Sequence, residues 1–189
     1  LTHDVIDGEK GISVIPCAYV RQYIEWQDRG QGTGAPVNIY PASSDILSKT
    51  TRDEFRKDRL PNGNYIEDTA NHFVLFENNQ GIWEQALIAM KSTQRKKSKR
   101  WNSLMLGLKI KGSKGLFTPP SYSHIYTMKS MVEQNDLGTW FGWDISRDGP
   151  VKDQDIYQQA KAFSASVAAG DVKVKHEDES SEGAEEAPY

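Results

Sequence analysis

The feature that most constrains this chain is a change in the period of its apolar residues. In the strand segments up to Met90 they recur every second residue, after Met90 at about 3.6, from Pro120 to Ile145 every second residue again, and from Asp153 at about 3.6 once more. Residues 11–26 are β-branched and aromatic. Alternation sends Ala18, Val20, Ile24 and Trp26 to one face and Tyr19, Arg21 and Tyr23 to the other, so the segment reads as one long strand, with Pro16 placing its first half at an edge or bulge. His72, Val74 and Phe76 alternate with Phe73 and Leu75 in a second strand; 77–81 reads as a hairpin loop and 82–90 as the return strand. Trp101, Leu104, Met105 and Leu108 then stand at i, i+3, i+4 and i+7. Arg95, Lys96 and Lys99 project from the opposite side, and Ser92 or Thr93 can cap the helix. Residues 104–111 also alternate, so the helix either continues or hands over to a strand before Gly112; 112–120 reads as a loop. The next strand places Tyr122, His124 and Tyr126 on one face. A turn at 135–138 leads to a strand over 139–145 with Trp140, Phe141 and Trp143. A helix over 153–169 carries Ile156, Ala160, Phe163 and Val167 on one stripe and stops at Gly170.

The order strand, strand, strand, helix, strand, strand fits a mainly β, OB-like Greek-key β-barrel, with one helix inserted between its third and fourth strands and another at its C-terminal end. The alternative is an α+β domain whose antiparallel sheet is covered by two helices. Residues 1–170 are expected to form one domain. Within it, 27–64 is rich in Gly, Pro, Ser, Asp and Arg and reads as a long loop excursion with little regular structure; 171–189 reads as a disordered acidic C-terminal tail.

With 189 residues the chain is long enough for a core of its own, and no apolar run approaches the roughly 18 residues of a membrane span. One cysteine, Cys17, excludes an internal disulfide and a Cys-rich zinc site, and makes a reducing compartment the default. The start at Leu1, with Asp4, Asp7 and Glu9 where a signal peptide would be cationic and then apolar, reads as processed or truncated and not as an export signal. Gly30, Gly32 and Gly34 lack the phosphate-binding glycine spacing and sit in a loop. Asp153 and Asp155 suit a helix start better than a metal pair. No acid, base and nucleophile stand together, so no catalytic residue, cofactor or metal is expected.

Charge is unevenly distributed. Six acids and no base lie beyond His176, which leaves 23 bases against 20 acids, +3, for residues 1–175. Residues 85–132 hold ten bases and no acid. A basic body with an acidic tail is the signature of a polyanion binder. Unpaired nucleic acid needs cations for its phosphates and flat rings for its bases. The candidate nucleic-acid-binding residues are therefore Arg21, Lys91, Arg95, Lys96, Lys99, Arg100, Lys109 and Lys111 for phosphates, and Tyr19, Tyr23, Tyr122 and Tyr126 for stacking. Trp101, Trp140 and Trp143 are assigned to the core.

The chain ends Glu185-Glu186-Ala187-Pro188-Tyr189. This ending resembles that of the single-stranded DNA-binding proteins of bacteria and tailed bacteriophages, differing in Tyr189 where Phe is usual and Ala187 where an aliphatic residue is usual. The segments 61–65 (PNGNY), 91–94 (KSTQ), Trp101-Asn102 and 117–120 (FTPP) look like a family of tailed-phage proteins often left without an assigned function. The resemblance implies an OB-fold body that binds single-stranded DNA without sequence preference. It also implies a tail, with Glu182, Glu185, Glu186, Pro188 and Tyr189, that recruits replication or recombination proteins and competes for the basic groove. Such a protein would be non-catalytic, free of membrane partners, open to homo-oligomerisation, and located in the cytoplasm of an infected bacterial host. The alternative is a structural or interaction protein of a phage virion or replisome, whose basic surface meets an acidic protein partner.

Overall fold

The computed structural model describes residues 7–136 and 138–172. Along the chain run β1 (Ile12–Trp26), β2 (Asn38–Pro41), β3 (Thr51–Arg52), β4 (Asp58–Arg59), β5 (Tyr65–Glu77), β6 (Trp83–Met90), α1 (Gln94–Gly107), β7 (Ile110–Gly112), β8 (Gly115–Phe117), β9 (His124–Asn135), β10 (Gly138–Pro150) and α2 (Gln154–Ala169). Two compact units divide the described residues: 7–20 with 70–172, and 21–69. The long strands β1 and β5 contribute to both.

In the first unit the strands lie in the order β10-β9-β1-β5-β6. Counting long strands along the chain, the fourth, first, second and third are neighbours, which is Greek-key order, and the fifth is hairpinned onto the fourth. With α1 between the third and fourth strands and α2 after the fifth, the fold is mainly β and consistent with an OB-like barrel plus helices.

The central strand β5 shows why. Residues 69–75 are buried without a break, the mark of a strand covered on both faces. On one face Ala70 and Val74 join Val14, Met90, Tyr126, Met128 and Ile145 around Trp101 of α1, which is wholly buried. On the other, Phe73 meets Phe163 of α2 edge to face, ring centroids 6.3 Å apart. Val14 and Tyr19 both face α1 although they stand five positions apart, an odd offset. The alternation of β1 therefore slips by one in the stretch that holds Pro16, as expected of a bulge.

The helices end differently. In α2 the Asp153 carboxylate accepts from the Asp155 and Ile156 amides, and Gly170 closes the helix in the left-handed conformation, φ 80°. Thr93 precedes α1 in helical conformation and its hydroxyl caps nothing, and Ser92 lies outside the helix, so neither supplies the expected cap. Gln94, the first residue of α1, turns its carboxamide to the edge strand β10. It donates to the Phe141 carbonyl and accepts from the Trp143 amide at 3.2 and 3.3 Å, occupying backbone groups that an added strand would use. After α1 the chain does hand over to a strand: β7 pairs with β8 in a short hairpin over 110–117, where the sequence reading placed mostly loop.

In the second unit the excursion over 27–64 is mostly turn and coil, with short regular pieces. It supplies β2, β3, β4 and a 3-10 turn at Ile46–Lys49. Strand order is β2-β1-β5-β4-β3, around a small core of Tyr23, Ile46 and Ile66. Polar contacts carry much of the rest. Glu25, 2% exposed, accepts hydrogen bonds from Asn38, Tyr40, Asn62 and Asn64. Burial pushes its pKa up, but these four bonds outweigh burial and hold it at about 2. Arg59 is clamped between Asp28 and Asp53.

Candidate nucleic-acid interface

The acid-free run 85–132 folds wholly within the first unit. Its helix α1 is pinned by Trp101 and by Ser98, whose hydroxyl pairs with His72 Nε2 at 2.8 Å. That anchoring leaves Lys96, Lys99 and Arg100 exposed, together with Lys91 just before the helix. Lys109, Lys111 and Lys114 are exposed on and around the β7–β8 hairpin, and Lys129 on β9. Lys97 lies between them but is spent on Glu133, whose carboxyl it holds below the usual range with help from Trp140.

Beside these cations lies a groove of about 310 Å³, lined by Tyr19 of β1, by Asn102, Met105 and Leu106 of α1, and by Thr118, Pro119 and Ser121. Tyr19 is 40% exposed. Its ring rests against His72 at 5.0 Å; His72 stacks on Trp101 at 4.6 Å, and Trp101 meets Tyr126 edge to face at 5.8 Å. A buried aromatic column thus ends in one open ring. Burial, and secondarily the charge of Arg95, lower the His72 pKa to about 4, so this column carries no charge at neutral pH. At the groove mouth Lys109 donates to the Thr118 hydroxyl.

The remaining sequence candidates are placed differently. Tyr23, 6% exposed, is core of the second unit, and Tyr126, 1% exposed, is core of the first; neither offers a ring face, because alternation gives a residue's face but not whether that face is covered. Tyr122 is half-buried, edge to face with Tyr157 of α2, and burial and this neighbour raise its pKa. Arg95 is buried on the core side of α1, not on its polar face. Arg21 lies in the second unit, where it makes a two-pronged ion pair with Asp68 and donates to the Tyr23 hydroxyl. The core assignment of Trp101 holds, and Trp143 packs against the same cluster. Trp140 is half-buried and donates to Glu133. The tail residues Glu182, Glu185, Glu186, Pro188 and Tyr189 lie outside the described residues.

Sequence reasoning missed Phe117, 47% exposed, and Leu116, 73% exposed, on β8. The signal was present: Lys111-Gly112 and Gly115-Leu116 flank a short turn of the kind that closes a hairpin. It also missed Asn102, half-buried in the groove wall. On one face of β5, α2 covers Phe73, whereas Tyr19 on β1 keeps an open ring. Cys17 is buried, and burial pushes its thiol up to about 12 despite a backbone contact from Leu75, which keeps it protonated and inert. Among the described residues no helix is long and apolar enough to cross a membrane, and no cluster of His, Cys, Asp and Glu could hold a metal ion.

A family model described as Pam3 phage gp34-like protein matches residues 1–173. No curated protein and no solved structure gives a match.

Proposed function

From the premise that the chain belongs to the Pam3 phage gp34-like family, we propose that it is a non-catalytic single-stranded DNA-binding protein of a phage replication or recombination system, acting in the cytoplasm of the infected bacterium. The observation that carries this reading is the open ring of Tyr19 in a groove beside an acid-free surface with exposed Lys99, Arg100, Lys109 and Lys111. Phosphates would lie on the cations and displace counterions, and bases would stack on Tyr19 without regard to sequence. Phe117, exposed on the adjoining hairpin, offers a second ring. The six acids beyond His176 would recruit partner proteins, and would compete with DNA for the basic surface when DNA is scarce.

Fluorescence anisotropy of a labelled oligothymidine, titrated with the full chain and with a chain ending at Lys175, tests the proposal. Binding by both chains, tighter after tail removal, is expected. A second reading, an interaction protein for an acidic partner, draws on Phe141 and Val132, which face each other across β9 and β10 and are 71% and 60% exposed, a pair a polyanion does not need. That reading expects no affinity for free oligonucleotide.

A further inference from the structure

The long hairpin of β9 and β10 outruns its support. β1 pairs with β9 only over 126–128, and one further bond runs from the Ser130 amide to the Gly8 carbonyl. Past Ser130, among the described residues, the sheet narrows to a ribbon of two strands, 131–135 against 138–142, which is marginally stable unless something packs on it. Alternation gives the ribbon two faces. Met131, Glu133 and Trp140 share one, and α1 occupies it: Lys97 pairs with Glu133, to which Trp140 also donates, and the same ammonium reaches the Met131 sulfur. The other face holds the cross-strand pairs of Val132 with Phe141 and of Gln134 with Thr139. Phe141 and Val132 are among the most exposed large apolar side chains of the first unit, and none of the four residues carries a charge.

We propose that this face is where two copies of the chain meet, whatever the basic surface binds. Chemistry selects the occupant. A polyanion or an acidic partner is drawn by cations, and this face has none, so its complement is a surface that is itself flat, apolar and uncharged. The face is such a surface. Two copies related by a twofold axis set Phe141 of each against Val132 of the other and bury no unpaired charge. They pack face-on, as the layers of a β-sandwich do, because Gln94 occupies backbone groups of Phe141 and Trp143 on the edge of β10 and hinders strand addition there. Two large side chains per copy fall well short of the ~800 Å² that a stable interface buries on each partner, so the dimer is a weak one. It carries two acid-free runs, and a polyanion long enough to touch both would be held at two places.

Sedimentation velocity of the full chain, without nucleic acid, from ~10 µM to ~1 mM tests the contact. The parent chain is expected to pass from monomer towards dimer over that range, and to do so equally at high salt, where charge is screened. Phe141→Ser should weaken dimerisation about tenfold or more, the worth of burying one phenyl ring, and Val132→Thr should weaken it less. Leu116→Ser, comparably exposed on β8 but off this face, should leave it unchanged. Circular dichroism and thermal melts establish that each variant is folded. A parent chain that stays monomeric throughout overturns the proposal, and so does a dimer that folded Phe141→Ser leaves intact or that Leu116→Ser weakens as much. A dimer that dissolves at high salt is held by charge, and association that appears only in a chain starting at Asp7 assigns the face to the chain's own first residues; either result overturns it too.

Discussion

At the scale of single residues the aromatic column separates two roles that tyrosines share in sequence. Tyr19 ends the column in the open and Tyr126 closes it in the core. Tyr19→Leu is expected to weaken oligothymidine binding by about 5- to 100-fold, the worth of one stacked base, with little change in thermal stability. Trp101→Ala should do the reverse at first sight, lowering stability by about 3–5 kcal/mol in chemical denaturation, because it opens a cavity at the centre of the first unit. His72 adds a pH signature. Its folded pKa of about 4 lies below the unfolded value near 6.5, so on acidification the unfolded chain takes up the proton first. Its contribution is present above pH 6.5 and lost as pH falls towards 4. Urea midpoints at pH 7.5 and 5 should show the loss, and His72→Phe should flatten it over that window; an equal pH slope in parent and variant would contradict the assignment. Glu25 acts in the same direction at lower pH, below its unfolded range near 4.5 and down to about 2.

At the scale of elements, what was legible in the sequence follows from how local the determining interactions are. The long strands β1, β5, β6, β9 and β10 and both helices could be read because eight or more residues repeat one period, and a period is a property of neighbours along the chain. β2, β3 and β4 are two to four residues long and carry no period worth reading. β2 is held by Glu25, whose partners lie 13 to 39 residues away, β3 and β4 by pairing with each other and with β5, and the whole by a core that joins Tyr23 to Ile46 and Ile66. Nothing near 27–64 in sequence announces those contacts. Burial explains the misplaced site residues in the same way: the amphipathic stripe of α1 showed which side was polar but not that Arg95 sits over its border, since a 3.6 period leaves boundary positions undecided. Gln94 is the element-scale feature with a testable consequence. Its carboxamide bridges Phe141 and Trp143 on the edge of the sheet, so Gln94→Ala should cost about 1 kcal/mol of stability and promote concentration-dependent association through β10, measurable by sedimentation velocity. A variant that is as stable and as monodisperse as the parent would show that the bridge is incidental.

At the scale of the whole molecule the distribution of charge matters more than its sum. The net charge is −3, yet residues 85–132 carry ten bases and no acid, and the end of the chain six acids. Low salt should therefore strengthen binding of a polyanion by an overall acidic protein, which net charge alone would not foretell. Family membership places the chain among phage proteins, and the proposed binding rests on the groove and the cations beside it. The central claim is that exposed cations of the first unit hold the phosphates of a single strand. The most direct measurement is the salt dependence of oligothymidine affinity for the parent chain and for a triple variant, Lys99→Ala, Lys109→Ala and Lys111→Ala. A steep linear fall of log affinity with log salt is expected for the parent, with a slope shallower by about 2 in the triple variant, at about 0.7 per lost phosphate contact. Binding that is insensitive to salt, or a slope unchanged by removing the three lysines, would contradict the account.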